Sequence, residues 1–107
     1  MAAIDSQSNI LFTGVTNGSI DFGGGHVEPA GNNALMLARL DANATWLWSR
    51  FFNGVPGGLF QEPWVAASPT GRVAFGGNNI GNAVDFGGGN VVSTQGMQDV
   101  LVGELWP

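Results

Sequence analysis

The string Asp-Phe-Gly-Gly-Gly occurs twice in this chain, at residues 21–25 and 85–89. Three consecutive glycines behind one dipeptide are too specific to recur by chance in 107 residues, and the match extends outward from them. "AAIDSQSNILFTG" (2–14) lies against "VAASPTGRVAFGG" (65–77) at an offset of 63, which sets Ile10 on Val73, Phe12 on Phe75 and Gly14 on Gly77. A one-residue slip near Ile80 aligns "SIDFGGG" with "AVDFGGG", and a second slip aligns "GNNALMLARL" (31–40) with "GMQDVLVGEL" (96–105) at an offset of 65. Three blocks in the same order are an internal duplication, so one supersecondary unit is written twice. The chain reads as a single domain, 1–107, with repeat 1 at about 1–62 and an incomplete repeat 2 at about 63–107.

Each block has strand character. "NILFTG" and "RVAFGG" are short β-rich runs ended by glycine, while "ALMLARLD" and "DVLVGELW" are apolar runs of strand length. "TWLWSRFF" alternates, with Trp46, Trp48 and Arg50 on one expected face and Leu47, Ser49 and Phe51 on the other. Turn residues separate the runs at Ser6-Gln7-Ser8, Asp41-Ala42-Asn43 and Ser68-Pro69-Thr70-Gly71. No window offers a capped helix. The expected strands are about 1–5, 9–16, 34–41 and 44–51 in the first copy, then 63–68, 71–78 and 98–106 in the second. Segments 17–33, 52–62 and 79–97 are expected to be long glycine-rich loops. Four short antiparallel strands per repeat describe a β-propeller blade, and runs apolar on both faces suit blades stacked around an axis. A seven-stranded sandwich is the alternative, but it leaves the duplication unexplained.

The pattern carried by "AAIDSQSNILFTG", "IDFGGG" and "LARLDANATWLWSRF" resembles the repeat of bacterial β-propeller proteins, especially large secreted or surface proteins of myxobacteria and related soil bacteria. The resemblance covers nearly the whole chain. It implies a propeller fold and a secreted or cell-surface setting, although "MAAIDSQSN" lacks the charged and apolar regions of a signal peptide. It implies no particular activity, because such propellers host many functions. The chain departs from the repeat at Ala44-Thr45, where a Gly-Asn-like turn is expected.

About one and two-thirds blades cannot cover their own faces, whereas closed propellers have roughly four to eight blades. A lone chain would expose the faces carrying Trp46, Trp48, Phe51, Leu35 and Leu37. Homo-oligomerisation, with three or four chains completing a ring, is the expected solution; a fragment of a longer propeller is the other reading. Composition agrees. Charged residues are 10% of the chain, against roughly 25% in ordinary globular domains, which leaves little charge to cover a solvated surface. With a net charge of −5, three arginines and no lysine, the chain lacks the cations that drive nucleic-acid binding. No apolar run approaches the length of a membrane-spanning helix.

Candidate chemistry falls in the glycine-rich loops, which in propellers lie at the mouth of the central channel. Asp21 and Asp85 have two readings. Each can accept bonds from backbone amides ahead of it, with the next phenylalanine tucked into the core between blades. Alternatively, ring closure gathers their carboxylates, with Asn oxygens, into a site for calcium or another divalent metal. His26, the sole histidine, would reach a three-histidine metal arrangement only across chains. By fold analogy with calcium-dependent propeller hydrolases, Asp21, Asp85 and His26 are the candidate catalytic and metal-binding residues of an alternative reading, a metal-assisted hydrolase acting on phosphate esters or lactones. Trp64, Asn32 and Asn90 are the candidate contacts of a small-molecule or lectin-like glycan site, Trp64 because it is expected to begin a strand beside a loop. The leading expectation is a self-assembling scaffold whose loops bind a ligand.

Overall fold

The computed structural model describes residues 1–23, 27–28, 33–53, 59–80, 83–85, 90–92 and 98–105, with the backbone alone described at 27–28, 83–85, 90–92, 98–99 and 101. Among these residues the protein is all-β, with antiparallel pairing throughout and no helix. The strands are β1 (Ala2–Ile4), β2 (Ile10–Thr16), β3 (Ile20–Asp21), β4 (Val27–Glu28), β5 (Ala34–Leu40), β6 (Trp46–Phe52), β7 (Leu59–Ala67), β8 (Val73–Ile80), β9 (Ala83–Asp85), β10 (Asn90–Val92) and β11 (Gln98–Leu105). A four-stranded sheet runs β1-β2-β5-β6 and a three-stranded sheet runs β7-β8-β11. Small hairpins, β3-β4 and β9-β10, sit between the second and third strands of each sheet.

The duplication is repeated in the pairing, residue for residue. In the first sheet Ala2 faces Phe12 and Phe12 faces Ala38; in the second, Val65 faces Phe75 and Phe75 faces Gly103. Ile10 opposite Leu40 likewise becomes Val73 opposite Leu105. These are the offsets of 63 and 65 found by aligning the sequence with itself. Because side chains alternate between faces, a shared register also gives the two sheets matching faces.

The sheets meet face to face. Leu11, Leu35 and Leu37 of the first sheet form one buried cluster with Phe60, Val65, Val73 and Phe75 of the second. Phe52 stacks on Phe75 across the gap, with ring centroids 5.6 Å apart and planes 4° from parallel. Gly103 makes room for that ring: a Cβ there would stand 2.3 Å from Phe75 Cζ.

Three turns of one design close the end of the sheets opposite the hairpins. In each, the first residue's amide donates to the carbonyl of the fifth, and the fourth residue's amide donates back to the first: Asp5 to Asn9, Asp41 to Thr45, Ser68 to Arg72. The fourth residue is left-handed every time, with φ of 65° at Ser8, 64° at Ala44 and 89° at Gly71. Only Gly71 takes that conformation without steric cost.

Three expectations need correction. The glycine-rich segments 17–33 and 79–97 contain the two hairpins, and segment 52–62 gives up Phe52 to β6 and 59–62 to β7. Trp64 therefore lies well inside β7 and does not begin it; a bulge between Gln61 and Trp64 absorbs Glu62, at φ 48°, and Pro63. Pro63 is tolerated because β7 is an edge strand and a bulge needs no ladder donor. In β6 the alternation breaks, because a bulge pairs Arg39 with Trp48 and Leu40 with Trp46 and leaves Leu47 between.

Two substitutions test this account. Ala44→Gly relieves the left-handed strain and is expected to stabilise the fold by about 1 kcal/mol in denaturant titration. Gly103→Ala drives a methyl into the Phe75 ring and is expected to cost about 1–3 kcal/mol.

Candidate functional site

At the hairpin end, Asp21 is exposed and its Oδ1 accepts from the Gly23 amide at 2.9 Å, with Gly23 at φ 96°. That bond makes Asp21 the support of a tight turn. Phe22 packs edge-on against Phe12, centroids 5.3 Å apart, and lies 6.5 Å from Phe51. It thus sits on the face of the first sheet turned away from the second. At the hairpin base, the Asn33 amide donates to Asn17 Oδ1. Asp85 and Asn90 are paired directly across β9 and β10, which brings two of the sequence candidates together at backbone level. His26 and Asn32 lie outside the described residues. Among the described residues no three His, Asp or Glu side chains converge as a metal site requires.

The opposite end holds a buried ion pair that the sequence reading did not single out. The Asp5 side chain, 2% exposed, pairs with Arg39, 14% exposed. Asp5 Oδ1 also accepts from the amides of Gln7, 2.8 Å, and Asn9, 2.9 Å, and Oδ2 accepts from Asn9 Nδ2 at 3.0 Å. Burial alone would raise the pKa of this carboxyl, but the bonds from Asn9, Gln7 and Arg39 outweigh it and hold the pKa at about 2. Arg39 Nε is buried and finds no acceptor among the described residues. Beside it lies a cavity of about 170 Å³ lined by Ser6, Gln7, Arg39, Pro69, Thr70 and Gly71. The two repeats are tied together at this point, because Ser6 Oγ donates to the Pro69 carbonyl across the cavity mouth. The signal available in the sequence was one of only three cations placed on an apolar strand.

The two outer faces of the sheets are a third feature. On the first sheet, Ile4, Ile10, Phe12, Met36 and Phe51 share the face away from the core; Ile4 is 64% exposed and the others are half-buried. On the second sheet the outer face carries Trp64, half-buried, with Val100 and Val102, which are 75% and 67% exposed. The expectation that Leu35, Leu37 and Trp48 would be left open is corrected: both leucines are 1% exposed and Trp48 packs against the core, because the second sheet covers that face. Arg72 and Glu104 form a pair on the second sheet at 3.4 Å.

No protein-family model, curated protein or solved structure matches this chain.

The Asp5 pair sets an acid limit on stability. Its folded pKa lies below the ordinary carboxylate value of 3.8, so its stabilisation is complete above that value and is lost as pH falls toward about 2. Denaturation midpoints measured from pH 6 to pH 2 are expected to fall across this window. Asp5→Asn is expected to lower the midpoint at pH 6 and to flatten the acid limb.

Proposed function

We propose that this protein is a self-assembling β-propeller segment that acts as a scaffold and presents ligand-binding loops at the hairpin end of its sheets. One observation carries the reading. Each sheet has two apolar faces, and the chain covers only one of each pair. Contiguous exposed apolar surface of this kind marks an association site in soluble proteins. Each sheet is a meander of consecutive antiparallel strands stacked on its repeat, which is the relation of neighbouring blades. Stacking further copies removes the uncovered faces from water. Charge fits the same reading, since the side chains on the first sheet's outer face are uncharged, and the exposed Glu104 of the second sheet has Arg72 beside it.

The hairpins β3-β4 and β9-β10, the end of β6 and the start of β7 lie at one end of the sheets, set there by strand direction. In a closed ring that end becomes a rim of repeated loops, where weak contacts to one ligand gain by multiplicity. Asp21, held by the Gly23 amide, and the Asp85–Asn90 pair are the polar groups that such a rim repeats.

Light scattering after size exclusion tests the assembly. The expected result is a mass several times the 11.1 kDa chain; a folded chain that elutes as a monomer at all concentrations rejects it. Dissociation on addition of a chelator would assign a divalent metal to the rim, and an unchanged mass would assign the assembly to apolar docking alone.

A further inference from the structure

The two outer faces are not alike, and the duplication says what each of them fits. In the aligned register, Phe12, Ile10 and Ile4 on the outer face of the first sheet occupy the positions of Phe75, Val73 and Ala67 in the second. Phe75 and Val73 are buried against the first sheet, and Ala67 packs at the edge of that cluster. The converse holds for the other face. Val100 and Val102, exposed on the outer face of the second sheet, occupy the positions of Leu35 and Leu37, which are 1% exposed in the contact between the sheets. Each outer face is thus the counterpart of a face whose partner is known, and each partner's counterpart is the other outer face.

We infer that copies of this chain dock head to tail, the outer face of the second sheet of one copy covering the outer face of the first sheet of the next, in the arrangement already seen between the two sheets of one chain. This rests on the self-assembly proposed above and specifies its partner surface. Ile4, Ile10 and Phe12 of one copy receive Val100 and Val102 of its neighbour, as Val73 and Phe75 receive Leu35 and Leu37 internally. The polar end continues in the same way. Glu104 stands where Arg39 stands in the first repeat, and the internal contact sets Arg39 beside the turn 68–72. In the docked pair Glu104 meets the equivalent turn, 5–9, of the next copy, whose Ser6 and Gln7 offer hydroxyl and amide donors to its carboxylate. The contact is heterologous, so it propagates, closing as a ring where the rotation permits and otherwise extending as an open chain. Aromatic surroundings differ in one respect. Phe75 has Phe52 stacked on it, whereas Phe12 has Phe22 of the DFGGG string edge-on against it. Phe22 therefore forms part of the docking surface.

The test uses one lesion on each face at side chains exposed enough to leave the fold intact. Ile4→Glu blocks the first sheet and Val102→Glu blocks the second; Val100→Glu is an independent lesion of the second face, Phe12→Ser, at a half-buried ring, is one of the first, and circular dichroism verifies that every variant is folded. In head-to-tail docking every contact needs one face of each kind. Each single variant is then expected to lose the multimer and run as a monomer, and an equimolar mixture of Ile4→Glu with Val102→Glu is expected to form a terminated dimer of one copy each. Either variant remaining dimeric alone would show like-to-like docking and overturn the inference. A mixture that stays monomeric would overturn it too. If the wild-type chain itself is a monomer, the self-assembly reading fails with it; a wild-type multimer with the wrong mixing pattern sinks only the head-to-tail arrangement.

Discussion

The contact between the two sheets is what the rest of the structure depends on. Ordering the backbone costs roughly 1–2 kcal/mol per residue, and a lone three- or four-stranded sheet with one solvated apolar face recovers little of it. Burying Leu35, Leu37 and Phe75 against one another supplies what neither repeat has alone. The details of both strands are subordinate to that contact. Gly103 has no side chain where the Phe75 ring needs space, and Ala38, at the corresponding position opposite Phe12, is the smallest residue that still has one. The residue opposite the ring is thus small in both copies, although only Phe75 is fully buried in the single chain.

Three aspartates of this molecule do the same job. Asp5 accepts from the Gln7 amide, Asp21 from Gly23 and Asp41 from Asn43, in each case two residues ahead. A carboxylate that satisfies amides in a turn fixes the turn and keeps its charge in water or beside an arginine. This answers the question raised by the repeated DFGGG string at its first copy. Asp21 shapes the bend, Gly23 supplies the positive φ, and Phe22 spreads over Phe12 and Phe51. The second copy supplies Asp85 to a strand at the equivalent place in its hairpin. Asp21 thus has a structural task before any ligand is considered.

Legibility in the sequence followed the length scale of each signal. The strands of the two main sheets and the three turns between them were readable because β-rich runs are bounded by turn formers, and duplication supplied a second sample of the pattern. The hairpins were missed because strands of two or three residues, such as Ile20–Asp21, are shorter than any periodicity. The bulges at Glu62-Pro63 and Leu47 were missed for a related reason: a bulge is a relation between two strands, and alternation along one strand does not encode it. The ion pair of Asp5 with Arg39 spans two strands and was equally silent, although an arginine within "ALMLARL" was a clue that a buried partner existed. Which faces were covered was misjudged at Leu35 and Leu37 because hydropathy marks a strand as apolar on both faces without saying which neighbour comes first.

A duplicated sheet that packs on itself acquires directional self-complementarity from geometry alone. If the leading face of one repeat fits the trailing face of the next, two repeats in one chain leave one trailing and one leading face unused. Those faces are unlike, so a like-to-like contact has no precedent within the molecule, whereas the unlike pairing reuses a solution already present at Leu35, Leu37 and Phe75. The side chains diverge where coverage within the chain is absent: Val102 is smaller than Leu37, and Ile4 is larger than Ala67. These changes compensate in volume across a head-to-tail contact, since the larger side chain is on one surface and the smaller on the surface that meets it. Close packing tolerates exchange of volume between facing positions far better than loss of it. The divergence of the two repeats is therefore of the kind a shared interface permits, and their sparse charge leaves those surfaces little other means of meeting water.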